Sequence, residues 1–348
     1  MNFINIIDEA ILQHASDIHI TAGIPPVIRV SGELIRLGDT KLLPDDTAQI
    51  ADQIFALTGR KNELNSKGEM DFSFSVTQKG RFRANIYKQR GAVAIAIRLI
   101  PMDIPDISTL NIPDAVINLW TKTRGLILVT GPTGVGKTTT LASLINLINE
   151  RRNCHIITLE DPIEYLHKHK NGIVSQREIG TDSLSFSNGL RAALREDPDV
   201  IMIGEMRDNE TIATALTAAE TGHLVFGTLH TIGSSQTIDR IIDSFPDSQQ
   251  QQIRIQLSTV LQAVVTQQLL PSHQSMIPAF EIMMCTHAIS NLIREGKTHQ
   301  IENMIQTGGR FGMQTMDSHL ITLYKQGLIS REDLITYAFD PEMLQKML

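Results

Sequence analysis

The residues Gly131, Pro132, Thr133, Gly134, Val135, Gly136, Lys137 and Thr138 carry three kinds of chemistry at one spacing, G-x-x-x-x-G-K-[ST]. Glycines let a backbone curl until successive N–H groups point at one anion. A lysine directly after them brings a full positive charge to β- and γ-phosphates. The hydroxyl of Thr138, with Thr139 beside it, is placed for the magnesium ion that accompanies a nucleoside triphosphate. A second acidic site has to accompany such a loop. Val200-Ile201-Met202-Ile203-Gly204-Glu205 reads as a buried strand ending in an acid, the shape of a Walker B element. Gly204 stands where a metal-supporting Asp is usual, so Glu205 must orient the attacking water, support Mg²⁺, or do both. Glu160 and Glu164, in Leu159-Glu160-Asp161-Pro162-Ile163-Glu164, are the other candidate acids. His223 and His230 bracket an apolar strand and are candidates to sense the γ-phosphate or an adjacent copy of the chain. His14, His155 and His319 read as structural.

Elements able to hold such a loop lie on both sides of it. Gly125–Thr130 is a short apolar run suited to a buried strand, and Leu141, Leu144, Ile145 and Ile148 recur at helical spacing after it. Strand, glycine loop, helix is the context that gives the pattern its mechanism, because the helix N-terminus adds partial positive charge. From Pro113 onward strands alternate with helical segments: Leu126–Thr130, Cys154–Leu159, Val200–Ile203 and Leu224–Leu229. That alternation predicts an α/β core, a parallel sheet covered on both faces. Before it, residues 3–14 place Phe3, Ile6, Ile7, Ala10 and Ile11 on one helical face. Short alternating strands follow, with a helical stretch near Asp45–Leu57. In one of these strands Phe82, Ala84 and Ile86 alternate with Arg81 and Arg83, so the two arginines share the opposite face. The expected organisation is an α+β domain over 1–100, a Pro-rich linker over 101–113, an ATPase core over 114–271 and a helical region over 272–348. Ser330 and Asp333 read as a helix start in the last region.

Composition excludes several classes. The 348 residues carry a net charge of −7 and 42% hydrophobic residues. No apolar stretch approaches the ~18 residues that cross a bilayer. Met1-Asn2-Phe3-Ile4-Asn5 lacks the basic start of a signal peptide. Two cysteines, Cys154 and Cys285, suit a reducing cytosol and exclude a cysteine-built zinc site. An acidic chain with one Trp and four Tyr offers neither the basic field nor the aromatic channel of a nucleic-acid motor, so no nucleic acid is expected as a partner.

Four segments together resemble the secretion ATPase superfamily: Glu160–Glu164 its Asp box, Ala193–Asp199 with Gly204–Asp208 its Walker B region, and Thr221–Thr231 its His box. Within it the chain is most similar to the type IV pilus retraction ATPases of twitching motility. Ala15–His19 and Gly23–Pro26 resemble the start of that family, and Asn291–Lys297 and Gly312–Asp317 its end. The resemblance implies a RecA-like P-loop NTPase core with an N-terminal α+β PAS-like domain and a C-terminal helical extension. It implies a homohexamer that takes ATP and Mg²⁺ between subunits. It also implies peripheral membrane association, with docking on the inner-membrane pilus platform protein at the cytoplasmic face. Arg81 or Arg83 would reach the γ-phosphate held by a neighbouring subunit. Pilus-assembly and type II secretion motors, the alternatives, resemble longer chains with an additional N-terminal domain and a four-cysteine zinc module. Ser290 stands where the family's retraction-linked Ala-Ile-Arg motif carries arginine. A nucleotide-gated adaptor without turnover also stays open, and Glu205 argues against it.

Overall fold

The computed structural model describes residues 2–101, 103–272 and 276–347. Met1, Met102, residues 273–275 and Leu348 lie outside these ranges, as do the parts of the start, linker and C-terminal readings that fall on them. The chain divides into two compact units, Met1–Asp103 with Glu164–Leu166, and Ile104–Ile163 with His167–Leu348.

The first unit is a six-stranded antiparallel sheet built from β1 (Asp17–Ile20), β2 (Val27–Val30), β3 (Glu33–Arg36), β4 (Glu69–Val76), β5 (Gly80–Gln89) and β6 (Ala92–Ile100), in the order β3-β2-β1-β6-β5-β4. Alternation decides its sides. Phe82, Ala84 and Ile86 of β5 are buried against Phe72 and Phe74 of β4 and Ile95 and Ile97 of β6. Helix Phe3–Leu12 adds Phe3, Ile6, Ile7 and Ala10, and helix Pro44–Thr58 adds Ile50 and Ile54. The second helix starts with Pro44 at its first position, where no intrahelical N–H is lost, and Asp46 accepts a hydrogen bond from Leu43 N at 2.7 Å. Arg81 and Arg83 fall on the other side of β5, and Arg83 Nη2 pairs with Asp71 Oδ2 across the ladder at 2.7 Å.

The second unit carries β7 (Gly125–Thr130), β8 (His155–Glu160), β9 (Ile173–Glu178), β10 (Val200–Ile203), β11 (Leu224–Leu229), β12 (Leu261–Pro271) and β13 (Met276–Met284), in the order β13-β12-β7-β11-β10-β8-β9. All pairs are parallel except β12 with β13. The near-continuous apolar runs of the central strands follow from burial on both faces. In β7, Ile127 and Val129 point to the side covered by helix Lys137–Arg151. Leu126 and Leu128 point to the other, covered by helices Phe186–Ala193, Asn209–Glu220, Ser234–Asp243 and Asp247–Val260. Each such Leu or Ile withdrawn from water contributes roughly 1.5–3 kcal/mol.

The sheet is larger than the sequence pattern indicates. Strands β9, β12 and β13 are additional, and β13 lies inside the stretch 272–348 read as helical. Gln262, Thr266, Gln267 and Gln268 interrupt the apolar run of β12, and Pro278 sits in β13, an edge strand where a missing N–H is tolerated. The helices begin only at His287–Arg294. Met316, Leu320, Leu323 and Leu334 of the last helices then pack on Leu270, Ile277 and Ala279 of the β12–β13 hairpin. Ser330 and Asp333 form a reciprocal capping box at the start of helix Arg331–Thr336. His319 accepts a hydrogen bond from Phe280 N at 2.9 Å through Nδ1. His155 bridges Glu196 O and Ser175 Oγ.

Candidate functional site

The glycine loop leaves the carboxyl end of β7 in the middle of the sheet and runs into the 15-residue helix Lys137–Arg151. Gly131 and Gly136 have φ of +137° and +87°, and a side chain at Gly131 would put its Cβ 2.2 Å from Gln267 O. Glycine is thus required by both dihedral and space. Lys137 is buried at 8% exposure, and its Nζ donates to Gly131 O at 2.6 Å and Pro132 O at 2.8 Å. These bonds hold the ammonium inside the turn of the loop. Thr138 and Thr139 occupy the first turn of the helix beside it.

Glu205 follows β10, two strands from β7 with β11 between them. Its Oε1 lies 3.0 Å from His230 Nε2 and 2.5 Å from Arg207 Nε. The other imidazole nitrogen, Nδ1, is 3.5 Å from Lys137 Nζ and 3.4 Å from Thr133 Oγ1. One ring therefore joins the phosphate loop to the acid. Partial burial pushes the Glu205 carboxyl up, but the hydrogen bond and charge of Arg207, together with His230, outweigh it and hold the group below the usual carboxylate range. An open cavity of about 410 Å³ lies alongside, lined by Glu205, Arg207, His230 and Arg240 among others.

Gly204 has a packing reason. Its N–H donates to Leu159 O at 2.7 Å, and a Cβ there would stand 3.0 Å from the same oxygen. An aspartate at 204 would press on the backbone of β8, so the acid falls one residue later.

The remaining candidates disperse. Glu160 ends β8, three strands from β7 in the sheet order. Its Oε1 accepts from Thr158 Oγ1 at 2.5 Å and Gln176 Nε2 at 3.0 Å. Glu164 falls in the segment 164–166 that groups with the amino-terminal unit. His223 does not join His230. It precedes β11 while His230 follows it, roughly 20 Å apart at strand rise, and its Nδ1 lies 2.9 Å from Ala218 O at the opposite edge of the sheet. The strand between them separates the two histidines, and of the two it is His230 that lies beside the phosphate loop. Arg81 and Arg83 belong to the first unit.

Sequence reasoning missed two residues here. Arg207 lies two positions after Glu205, a proximity visible in the sequence, but its ion pair depends on how the chain turns after β10. Gln267 of β12 is 2% exposed. It donates to Val135 O at 2.6 Å through Nε2 and accepts from Thr140 Oγ1 at 2.9 Å. A glutamine inside Val264-Val265-Thr266-Gln267 was the available signal.

A parallel sheet with a glycine loop at the end of a central strand and an acid two strands away defines a RecA-like P-loop nucleoside triphosphatase core. The model of the Type II/IV secretion system protein family matches residues 2–333, and the chain belongs to that family. It is 46% identical over 95% of its length, and 96% of the relative's, to the type IV pilus retraction ATPase PilT of Pseudomonas aeruginosa. Over 88% of its length, and 82% of the relative's, it is 45% identical to a twitching motility protein of Neisseria gonorrhoeae. Among solved structures it is similar to the pilus retraction motor PilT with bound ADP, at TM-score 0.91 and 50% identity over the whole of both chains. The Legionella pneumophila ATPase DotB is similar at TM-score 0.77 and 30% identity, over 95% of this chain and 94% of that one.

Proposed function

We propose that this chain is an ATP-hydrolysing motor that drives type IV pilus retraction. The similarity to the Pseudomonas retraction ATPase across nearly all of both chains is the observation that carries this reading. In it, Gly131–Thr139 hold the triphosphate, with Lys137 leaving its loop carbonyls for the β- and γ-phosphates. Thr138 and Glu205 are hard oxygen donors of the kind Mg²⁺ takes, and the lowered pKa of Glu205 keeps its carboxylate charged for that purpose. The ion, when bound, neutralises phosphate charge. Glu205 accepts a hydrogen bond from the attacking water and orients it. His230, touching both Glu205 and Lys137, registers whether the γ-phosphate is present. Glu160 and Glu164 remain the alternative acids if Glu205 proves dispensable, and His223 is left to a contact with an adjacent copy.

The same reading includes a homohexamer working in the cytoplasm against the inner-membrane pilus platform. Among the described residues no helix is long and apolar enough to cross a membrane, in keeping with peripheral docking. Arg81 or Arg83 supplies a guanidinium to the phosphate bound by a neighbouring subunit. The decisive experiment pairs phosphate release by the purified protein with pilus retraction in a deletion strain. Restored retraction by the wild-type chain, but not by a hydrolysis-dead variant, supports the reading. Phosphate release without restored retraction would turn it toward an assembly or secretion motor, and nucleotide binding without phosphate release toward a nucleotide-gated adaptor.

A further inference from the structure

Gln267 belongs to none of the motifs that mark the nucleotide site, yet its side chain is buried against the phosphate loop. We propose that it is a positioning residue that sets the direction of a phosphate-binding N–H. The inference rests on the reading of Gly131–Thr138 as a nucleotide site. Gln267 Nε2 donates to Val135 O at 2.6 Å, so the Val135 carbonyl is turned toward β12. In a planar trans peptide the next N–H points the opposite way. The Gly136 N–H is therefore aimed away from β12, into the space where the loop encloses an anion. At its other end the carboxamide accepts from Thr140 Oγ1 at 2.9 Å, which ties the same side chain to the first turn of the helix carrying Lys137 and Thr138. β12 itself is fixed to the strand bearing the loop by Thr266 paired with Thr130, their hydroxyls 2.9 Å apart.

The chemistry requires an amide. The carboxamide of Asn or Gln carries its donor and its acceptor on two separate atoms of one group that stays uncharged at every working pH, and the longer of the two spans from β12 to Val135. A carboxylate at 267 would still accept from Thr140 but would meet the Val135 carbonyl with a second acceptor, and the peptide would rotate away. A leucine would leave both partners buried without a bond.

The test measures binding of a fluorescent ATP analogue, together with melting temperature with and without ADP, in the full chain. Lys137→Ala serves as the loop control. Gln267→Glu is expected to bind roughly tenfold or more weakly than wild type and to lose most of its ADP-induced thermal shift, beyond whatever lowering of the apo melting temperature the buried carboxylate brings. Thr140→Val, which removes only the helix end of the brace, is expected to lose less than threefold. Protonation gives Gln267→Glu a donor again, so its deficit relative to wild type narrows as pH falls. Wild-type affinity in Gln267→Glu would overturn the inference, as would a lowered apo melting temperature with an intact ADP shift. A wild-type chain that binds no ATP would instead refute the nucleotide reading itself, whereas loss of binding in Lys137→Ala alone would refute only the role of Gln267.

Discussion

His230 Nε2 stands 3.0 Å from Glu205 Oε1 while His230 Nδ1 stands 3.5 Å from Lys137 Nζ. A lysine ammonium has no acceptor, so Nδ1 takes the accepting role and Nε2 the donating one. A neutral imidazole meets both demands at once, as a link between the lysine of the glycine loop and the acid that follows β10.

Lys137 and Glu205 should fail differently. Lys137→Ala removes a charge facing the phosphates and is expected to impair binding and turnover together. Glu205→Gln keeps the size of the side chain but loses its negative charge and basicity. It should bind ATP near normally while phosphate release falls by about 10²-fold or more. Equilibrium nucleotide binding and single-turnover hydrolysis separate the two, and normal turnover in Glu205→Gln would move the role to Glu160 or Glu164.

The histidine link predicts an order among substitutions. Glutamine places an amide donor near the position of Nε2, and asparagine near that of Nδ1. His230→Gln is therefore expected to retain more turnover than His230→Asn, with both binding ATP. His223→Ala, at the far edge of the sheet, should leave phosphate release within about twofold of wild type. A strong loss of kcat in His223→Ala measured at saturating ATP would contradict that placement.

Arg207 is expected to set the acidic side of the pH profile. Its charge and hydrogen bond hold Glu205 below the ordinary carboxylate range against the upward push of burial. Without them the carboxyl protonates at higher pH. The acidic limb of kcat/KM should therefore move to higher pH in Arg207→Ala, while the rate well above the limb changes less. An unmoved limb would mean that Glu205 ionisation does not govern the rate.

Arg83 is engaged with Asp71 on an exposed strand face, and exposed pairs of this kind are worth only about 0–1 kcal/mol. The pair can exchange for a phosphate at little cost. Arg83→Ala should assemble and bind ATP but hydrolyse it poorly. Mixing Arg83→Ala with Lys137→Ala subunits should recover some activity, because a mixed interface joins an intact loop to an intact arginine. Full activity in the double variant Arg81→Ala/Arg83→Ala would end this assignment.

Stability should fall on acidification. Burial pushes the His319 imidazole down to about 4, and burial with the nearby charge of Lys170 does the same to His167. Their unfolded values lie near 6.5, so the unfolded chain binds more protons between these limits. Stability is complete above about 6.5 and is lost as pH falls toward 4, by at most about 1.4 kcal/mol per pH unit for each ring. Melting curves of wild type and His319→Gln at pH 7 and pH 5 should show a smaller drop for the variant.

The phosphate loop and Glu205 were legible because their chemistry is local: eight consecutive residues, and one acid at the end of an apolar strand. The sides of β5 were legible for the same reason, since strict alternation separates Phe82 from Arg81 and Arg83. What escaped depends on distant pairing. β12 reads as a weak strand until it is placed beside β7, and only that placement brings Gln267 to Val135, 132 residues away in sequence. The two histidines looked equivalent because sequence records their symmetric flanking of β11 but not that the strand's two ends face opposite edges of the sheet.

The edge strand β13 decides how the protein can be cut. Residues beyond Pro271 look like a detachable helical appendage, yet Met276–Met284 pairs with Ala263–Pro271 along its whole length. A chain ended at 271 would leave β12, the strand that braces the phosphate loop, with a bare ladder of N–H and C=O groups and an apolar surface stripped of its cover. Such a truncation should yield aggregating protein rather than a minimal ATPase, and the smallest severable core extends past the hairpin into the helices that shield it.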